Sequence, residues 1–251
     1  MLLHQCLIKM KKLILIFMIL SSSVGYSQED KNFPINFINQ IGKYDISHLF
    51  MCDSIIRQGD NKQKEKRPES LGFIGENYQR FYIHFISVTK NIDNNNQYLV
   101  KGKTRIKQNI CDFEGVINIK EARTGNIEWI IDSLENFYTG FIKGTYNFKG
   151  NSEQVNSGIF NGEFELSFYY DKTNTINYNA LNFGVSDGFS NNQFNGTWTS
   201  YDNKINMICS WGDFRIPNSS NFDMGASEFS PNEQYRKYGL EDYFKEVEKW
   251  W

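Results

Sequence analysis

One alternating stretch indicates the fold class of this chain: Phe160-Asn161-Gly162-Glu163-Phe164-Glu165-Leu166-Ser167-Phe168-Tyr169-Tyr170. Large apolar residues and one glycine occupy every second position, and mostly polar residues stand between them. A period of two turns one set of side chains towards a core and the other towards water, as in a half-buried antiparallel strand. The stretch therefore predicts a sheet with one buried face.

Similar segments recur on both sides of this stretch, separated by short polar clusters such as Asp93–Asn96, Thr124–Asn126, Gly150–Ser152 and Asp171–Asn174. Asp202-Asn203 predicts a two-residue hairpin turn. The predicted strands are Phe81–Lys90, Gln97–Lys107, Cys111–Glu121, Ile127–Asp132, Phe137–Phe148, Ile159–Tyr170, Ile176–Phe183, Gln193–Tyr201 and Lys204–Trp211. They predict an all-β fold, mainly an antiparallel meander of about nine strands that closes as a barrel or sandwich, with short N- and C-terminal helices. Local connections favour the barrel.

One motif, an aromatic residue two positions before a glycine and an apolar residue two positions after it, recurs four times along these strands. The instances centre on Gly115, Gly140, Gly162 and Gly196. Because the three positions share one face, large side chains cover the bare backbone of the glycine and the sheet can bend there. The alternative is a set of aromatic platforms for a ligand such as a sugar.

The segments that flank the meander predict short covering elements. Phe33, Phe37, Ile38 and Ile41 have helical spacing, and Gly42 follows as a stop. Gln58–Glu69 is charged and predicts a solvated loop. Gly72–Arg80 predicts an ordered loop with an Arg80–Glu76 ion pair.

The C-terminal part changes pattern after Trp211. Gly212–Phe229 predicts a loop, and Ser230-Pro231-Asn232-Glu233 predicts a capping box for a helix that ends at Gly239. Residues 240–251 have apolar side chains at helical spacing, which predicts a final helix that plugs or flanks the barrel.

The N-terminal 27 residues have the composition of a secretory signal peptide. Lys9, Lys11 and Lys12 precede the apolar run Leu13–Leu20, and small residues follow up to Ser27. The run is shorter than the roughly 20 residues of a membrane-spanning helix. The pattern Gly25-Tyr26-Ser27 before Gln28 resembles export signals of Gram-negative, Bacteroidota-type bacteria. We therefore expect an exported protein, periplasmic or secreted, without a transmembrane segment after cleavage. Residues 28–251 are expected to form one β-rich domain. Its parts are a covering segment (28–79), the meander (80–211) and a C-terminal loop with helices (212–251).

Charge and chemistry-bearing residues exclude several classes of function. The formal net charge is −2, and it becomes −5 without the three lysines of residues 1–27, which argues against a nucleic-acid partner. His48 and His84 are far apart in sequence, so no metal site is predicted and no cofactor is implied. Cys52, Cys111 and Cys209 are an odd number, so at most one internal disulfide is expected.

The strongest candidate site combines Trp211, Asp213, Arg215, Asp223 and Glu228 at the end of the last strand. An aromatic wall, a cation and carboxylates would suit a small polar or carbohydrate ligand. The structural alternative, which we favour, is that Arg215 pairs with Asp213 or Asp223 and pins the loop, with Trp211 in the core.

Three hypotheses of function follow. The first is a non-enzymatic binding protein for a small polar or glycan-like ligand. The second is a glycan hydrolase that uses two carboxylates among Asp213, Asp223 and Glu228, and the third is a structural or protein-interaction module of the cell envelope. The layout resembles lipocalin-type barrels, but the Gly-x-Trp of that family belongs to the first strand, whereas Gly196-Thr197-Trp198 comes near the end, so no family is assigned.

Overall fold

Antiparallel strands dominate the computed structural model, which describes residues 33–57, 63–126, 138–170, 175–180, 188–243 and 249–251. The strands are β1 (Ile35–Asn36), β2 (Ser54–Arg57), β3 (Gln63–Lys66), β4 (Leu71–Ile74), β5 (Gln79–Arg80), β6 (Tyr82–Lys90), β7 (Gln97–Ile106), β8 (Asn109–Asn126), β9 (Tyr138–Gly150), β10 (Gly158–Tyr170), β11 (Ile176–Tyr178), β12 (Asn191–Ser200) and β13 (Asn206–Asp213). The helices are α1 (Ile38–Ile41), α2 (Ser47–Met51) and the 3-10 helices Ser220–Phe222 and Glu233–Tyr238.

Nine of these strands form one curled half-barrel sheet in the order β5-β4-β13-β12-β10-β9-β8-β7-β6. The strands from β6 to β10 are a meander, β1 pairs with β8, and β11 pairs with β10. All named pairs in this sheet are antiparallel. The predicted all-β class, with an antiparallel meander and short helices, is confirmed.

The alternation along β10 is the pattern that the sequence predicted. Phe160, Phe164, Leu166 and Phe168 are buried, whereas the polar residues between them are exposed or partly exposed. Their partners across the sheet continue the core, since Phe164 lies opposite Phe194 and the two rings stack with centroids 5.5 Å apart. The apolar face of the sheet thus lines the inside of the curl.

Two glycines of the recurring motif lie where neighbouring strands of the sheet pack closely. Gly162 and Gly196 lie opposite each other on β10 and β12, and a Cβ on either one would come within 2.6 Å of the Tyr146 hydroxyl oxygen and 2.7 Å of the other glycine's Cα atom. The Tyr146 side chain therefore reaches across both bare backbones. This packing supports the interpretation of the motif as a bending device.

The two ends of the sheet are joined by a single residue. Phe81 separates β5 from β6, and its amide donates to the carbonyl oxygen of Gly72 on β4 at 3.0 Å. Its ring points into the core, against Phe160 and Trp211. Because side chains alternate along a strand, Arg80 and Tyr82 point away from the core, on the same side of the sheet.

The N-terminal helices cover the open interior of the half-barrel. Phe50 of α2 contacts Tyr98 and Phe164, and Phe37, directly before α1, stacks on Phe168 with centroids 5.7 Å apart. The predicted covering helix is confirmed and stops at Gly42 as expected, although it starts only at Ile38.

Several local predictions are wrong. Residues 71–74 and 79–80 form β4 and β5 rather than a loop, because they pair with β13 and with each other. Thr124–Asn126 is not a turn but continues β8, opposite Tyr138–Gly140 of β9. The last hairpin has five connecting residues, 201–205, with Asn203 at a φ of 57°. The predicted strand Ile127–Asp132 lies outside the described residues.

The C-terminal part covers the outer side of β4. Four residues of the 214–243 segment pack on Phe73 of β4 and form a second hydrophobic cluster with it: Ile216, Phe222, Phe229 and Leu240. The helix predicted to stop at Gly239 does so, but it is a 3-10 helix capped by Asn232, which accepts from the Gln234 amide, rather than by Ser230. In the predicted final helix, residues 240–243 are turn, 249–251 are irregular, and 244–248 lie outside the described residues. Trp250 and Trp251 contact Tyr82 and His84 of β6 and thus flank the sheet.

Candidate functional site

Asp213 of the predicted site is the centre of a buried polar network. It is 0% exposed, and Arg67 donates to both its oxygens, from Nε at 2.9 Å and from Nη2 at 3.0 Å. Ser70 donates to Oδ1 at 2.8 Å and Tyr178 to Oδ2 at 2.9 Å. With four donors on two oxygens, the carboxylate holds three chain segments together.

Arg67 extends this network to the N-terminal helix α2. Its Nη1 donates to the Phe50 carbonyl oxygen at 3.0 Å and lies 3.9 Å from the Cys52 sulfur. Burial, the largest single influence, acts to lower the pKa of Arg67, but Asp213, Tyr178 and Cys52 together outweigh it and raise that pKa. Burial, and then Asp213, raise the pKa of Tyr178 well above its ordinary value. The prediction that placed Arg67 in a solvated loop is therefore wrong.

Three of the other predicted site residues, Arg215, Asp223 and Trp211, also have structural partners. Arg215 Nε lies 2.7 Å from Asp223 Oδ2, and the other Asp223 oxygen accepts from the amides of Gly225 and Ser230. Trp211 is buried in the core and stacks on Phe194 with centroids 4.9 Å apart. Glu228 is exposed. These contacts match the structural alternative, in which Arg215 pins the loop.

Paired-carboxylate chemistry gains no geometric support from this loop. The oxygens of Asp213 and Asp223 are occupied by donors of the chain itself, and the Asp223 side chain is only 2% exposed. A general acid or base needs an oxygen that reaches its substrate. Both aspartates therefore hold parts of the fold together.

Histidine and cysteine residues also occupy structural positions. The His48 Nε2 atom lies 2.9 Å from the Ile176 carbonyl oxygen, and His84 stacks on Trp251 while its Nδ1 lies 3.4 Å from Glu69. Cys52, Cys111 and Cys209 are free thiols. Within the described ranges, no group of three or more His, Cys, Asp and Glu residues is arranged to hold a metal ion.

A cationic cleft lies elsewhere, where the two ends of the sheet meet the C-terminal 3-10 helix. Its volume is about 380 Å³, within the range of clefts that hold small ligands. β5 supplies Arg80, β7 supplies Arg105, the hairpin turn between β7 and β8 supplies Lys107, and the 3-10 helix supplies Lys237. We call this site the cationic cleft.

The local geometry explains how the 3-10 helix approaches the sheet so closely. Gln79 donates to the Tyr238 carbonyl oxygen at 2.8 Å. Gly239, at the helix end, has a φ of +92°, and a Cβ there would lie 3.0 Å from the Arg80 Cβ. Glycine therefore meets two needs at this position, a left-handed backbone and a close approach to β5.

Two guanidinium groups converge at the base of the cationic cleft. Arg80 and Arg105 place their Cζ atoms 4.4 and 4.1 Å from the centroid of the Tyr82 ring. Tyr82 lies directly opposite Arg105 in the β6–β7 register. Both cations are thus held by the ring through cation–π contacts rather than by a carboxylate.

Arg80 is the most unusual side chain of this group, because it is only 3% exposed. Its Nε and Nη1 donate to no atom of the described residues, nor does the buried Nε of Arg105. Burial, the largest influence, and the neighbouring Arg105 lower the pKa of Arg80, against the raising effect of Tyr82 and Glu69. Among the described residues, the predicted Arg80–Glu76 ion pair does not form, and a buried charge without such a partner is costly.

The sequence did not single out this cleft. Arg80 was predicted to pair with Glu76, and Arg105, Lys107 and Lys237 drew no prediction. The one signal in the sequence was the alternation of side chains along a strand. It places Arg80 and Tyr82 on the same face, and it likewise places Arg105 and Lys107 on the same face of their segment. No local pattern indicates that the 3-10 helix joins them.

No protein-family model matches the chain, and searches of curated proteins and of solved structures find no match. None of the helices in the described part of the chain combines the length and apolar character needed to cross a membrane. The cleft and its chemistry therefore carry the functional argument.

Proposed function

We propose that this chain is an exported, non-enzymatic binding protein that holds a small anionic ligand in the cationic cleft. The observation that carries the proposal is Arg80, whose side chain lines the cleft and whose buried Nε and Nη1 donate to no described atom. An oxyanion at this point would accept those hydrogen bonds and offset the cost of burying the charge. Planar guanidinium groups are suited to binding carboxylate and phosphate groups.

The proposal refines the expected small polar or glycan-like ligand. Tyr82 has two guanidinium groups over its ring, and the Lys237 amine lies 5.2 Å from the centroid of the Tyr238 ring. Cations already occupy these aromatic faces, so recognition rests on charge and hydrogen bonds rather than on stacking. Binding of ligand by Trp211, Asp213, Arg215, Asp223 and Glu228 stays a prediction, as do the hydrolase and interaction-module hypotheses.

Thermal unfolding in inorganic phosphate tests the proposal. Against chloride at equal ionic strength, phosphate should raise the Tm of the purified protein, because a ligand that binds only the folded state stabilises it. The rise should disappear in Arg105→Gln and in Arg80→Gln. Arg236→Gln is the matched control, since Arg236 lies beside Lys237 in the same helix but does not line the cleft. An equal rise in all four proteins would contradict the proposal.

Export is tested separately. N-terminal sequencing of the protein taken from the envelope of its native host should begin at Gln28. A protein that retains residues 1–27 in the cytosolic fraction would contradict export without bearing on the cleft.

A further inference from the structure

We infer that the ligand of the cationic cleft is a small polyanion with two oxyanion groups, one bound at the base and one at the rim. This inference rests on the proposed function and names its ligand class. The lining side chains include the four cations Arg80, Arg105, Lys107 and Lys237 but only one acid, Glu241. In the described part of the chain, none of these four cations has a carboxylate partner within ion-pair distance.

The cations are arranged at two depths. Arg80 is buried and Arg105 half-buried, with unpartnered N–H groups, whereas Lys107 and Lys237 are exposed. The arginines at the base can hold one oxyanion through directed hydrogen bonds, and the lysines act as mobile point charges near the opening. A single small anion would meet only one of these two sets.

The rim lysines come from different elements, which fixes their spread. Lys107 is in the two-residue hairpin turn between Ile106 and Asn109, with a φ of 54°, and Lys237 is in the 3-10 helix on the other side. A ligand that satisfies both depths must therefore extend from the base to the rim. The volume of about 380 Å³ has room for such a molecule and is near the lower end of small-ligand clefts.

The charges around the cleft limit the ligand to modest size and charge. Glu241 lines the opening, Glu69 raises the pKa of Arg80 without lining the cleft and lies 3.4 Å from His84, and Arg236 is engaged with Glu233. The excess of cations over acids among the lining residues is three, which a ligand with two or three negative charges balances. Diphosphates and di- or tricarboxylates share this chemistry, and separate titrations distinguish them.

Isothermal titration calorimetry of the purified protein at low ionic strength provides the test, with acetate, inorganic phosphate, pyrophosphate and citrate as probes. Pyrophosphate or citrate should bind at least tenfold more tightly than phosphate or acetate, and the preferred one of the two identifies the oxyanion. The double variant Lys107→Gln/Lys237→Gln should bring the affinity ratio between the anions with several oxyanion groups (pyrophosphate, citrate) and those with one (phosphate, acetate) towards one. Arg236→Gln should leave the ratio unchanged.

The outcomes separate the two proposals. If phosphate binds as tightly as both pyrophosphate and citrate, or if the double variant keeps the full ratio, the two-group inference is overturned while anion binding stands. If no probe binds, the proposed function itself is overturned. Both rim lysines are exposed, so the double variant is expected to fold, and circular dichroism confirms that before titration.

Discussion

Arg67 and Asp213 show how a single pair of charges can organise distant parts of a chain. They are 146 residues apart in sequence, and their bidentate contact lies inside the protein. Breaking such a pair leaves one buried charge without a partner, which costs far more than the pair itself contributes. The pair therefore acts as a tie between α2, the segment before β4 and the end of β13.

Asp213→Ala should lower the free energy of unfolding by about 3–5 kcal/mol, because it leaves the buried Arg67 guanidinium without its carboxylate. Tyr178→Phe removes only one of the four donors and should cost about 1 kcal/mol. Urea denaturation measures both. A loss below about 1 kcal/mol in Asp213→Ala would show that the network does not hold the fold together.

At the level of strands, the sheet depends on close packing of two backbones. Gly162 and Gly196 let β10 and β12 pass under the Tyr146 side chain of β9. Replacing either with a larger residue forces the strands apart or displaces Tyr146. The close pairing of β10 with β12 at this point therefore depends on the absence of a side chain at both glycines.

Gly196→Ala should destabilise the protein by about 1–3 kcal/mol, as overpacking does in a well-packed core. Gly42→Ala is the matched control, because Gly42 has a helical φ of −60° and its added Cβ would meet chiefly the Asn96 side chain. The control should lose less than about 1 kcal/mol. Equal losses in chemical denaturation of the two variants would contradict the role assigned to the glycine pair.

The C-terminal residues attach to β6 by aromatic stacking. The Trp251 ring lies 3.7 Å from the His84 ring, centroid to centroid, at an angle of 16°. A double-mutant cycle with His84→Ala and Trp251→Ala should give a coupling energy of about 0.5–1.5 kcal/mol. A coupling indistinguishable from zero would mean that these residues are available to a protein partner, as the interaction-module hypothesis requires.

At the scale of the whole molecule, the aromatic core sets the response to alkaline pH. Burial raises the pKa of the Cys209 thiol well above its ordinary value and the pKa of Tyr98 to about 12. The folded state therefore keeps these protons at a pH where the unfolded state has released them. Their contribution to stability is complete below the unfolded pKa values and declines as the pH rises above them.

The free energy of unfolding should consequently fall from about pH 9 upwards, the ordinary pKa region of cysteine, and fall further above about pH 10, that of tyrosine. Cys209→Ala should flatten the first part of the decline and Tyr98→Phe the second. Urea denaturation between pH 7.5 and 10.5 measures the profile. A stability that stays level or rises over this interval would contradict the prediction.

The elements whose cause is local were predictable from the sequence. The two-residue period along Phe160–Tyr170 predicted a half-buried strand, the motif around Gly162 and Gly196 predicted glycines covered by large side chains, and Gly42 and Gly239 predicted helix ends. Each depends on the geometry of neighbouring residues, so each is visible within a short window.

The partners of the charged residues could not be predicted from the sequence, because they depend on how distant elements pack. Arg67 looked like part of a solvated loop and is buried against Asp213, whereas Arg80 looked paired with Glu76 and instead lies beside Arg105 over Tyr82. Which charges meet depends on the strand order and on the 3-10 helix that packs against β5. Periodicity predicts which side of an element a residue faces, but not which distant element it will meet there, because that depends on how the sheet curls.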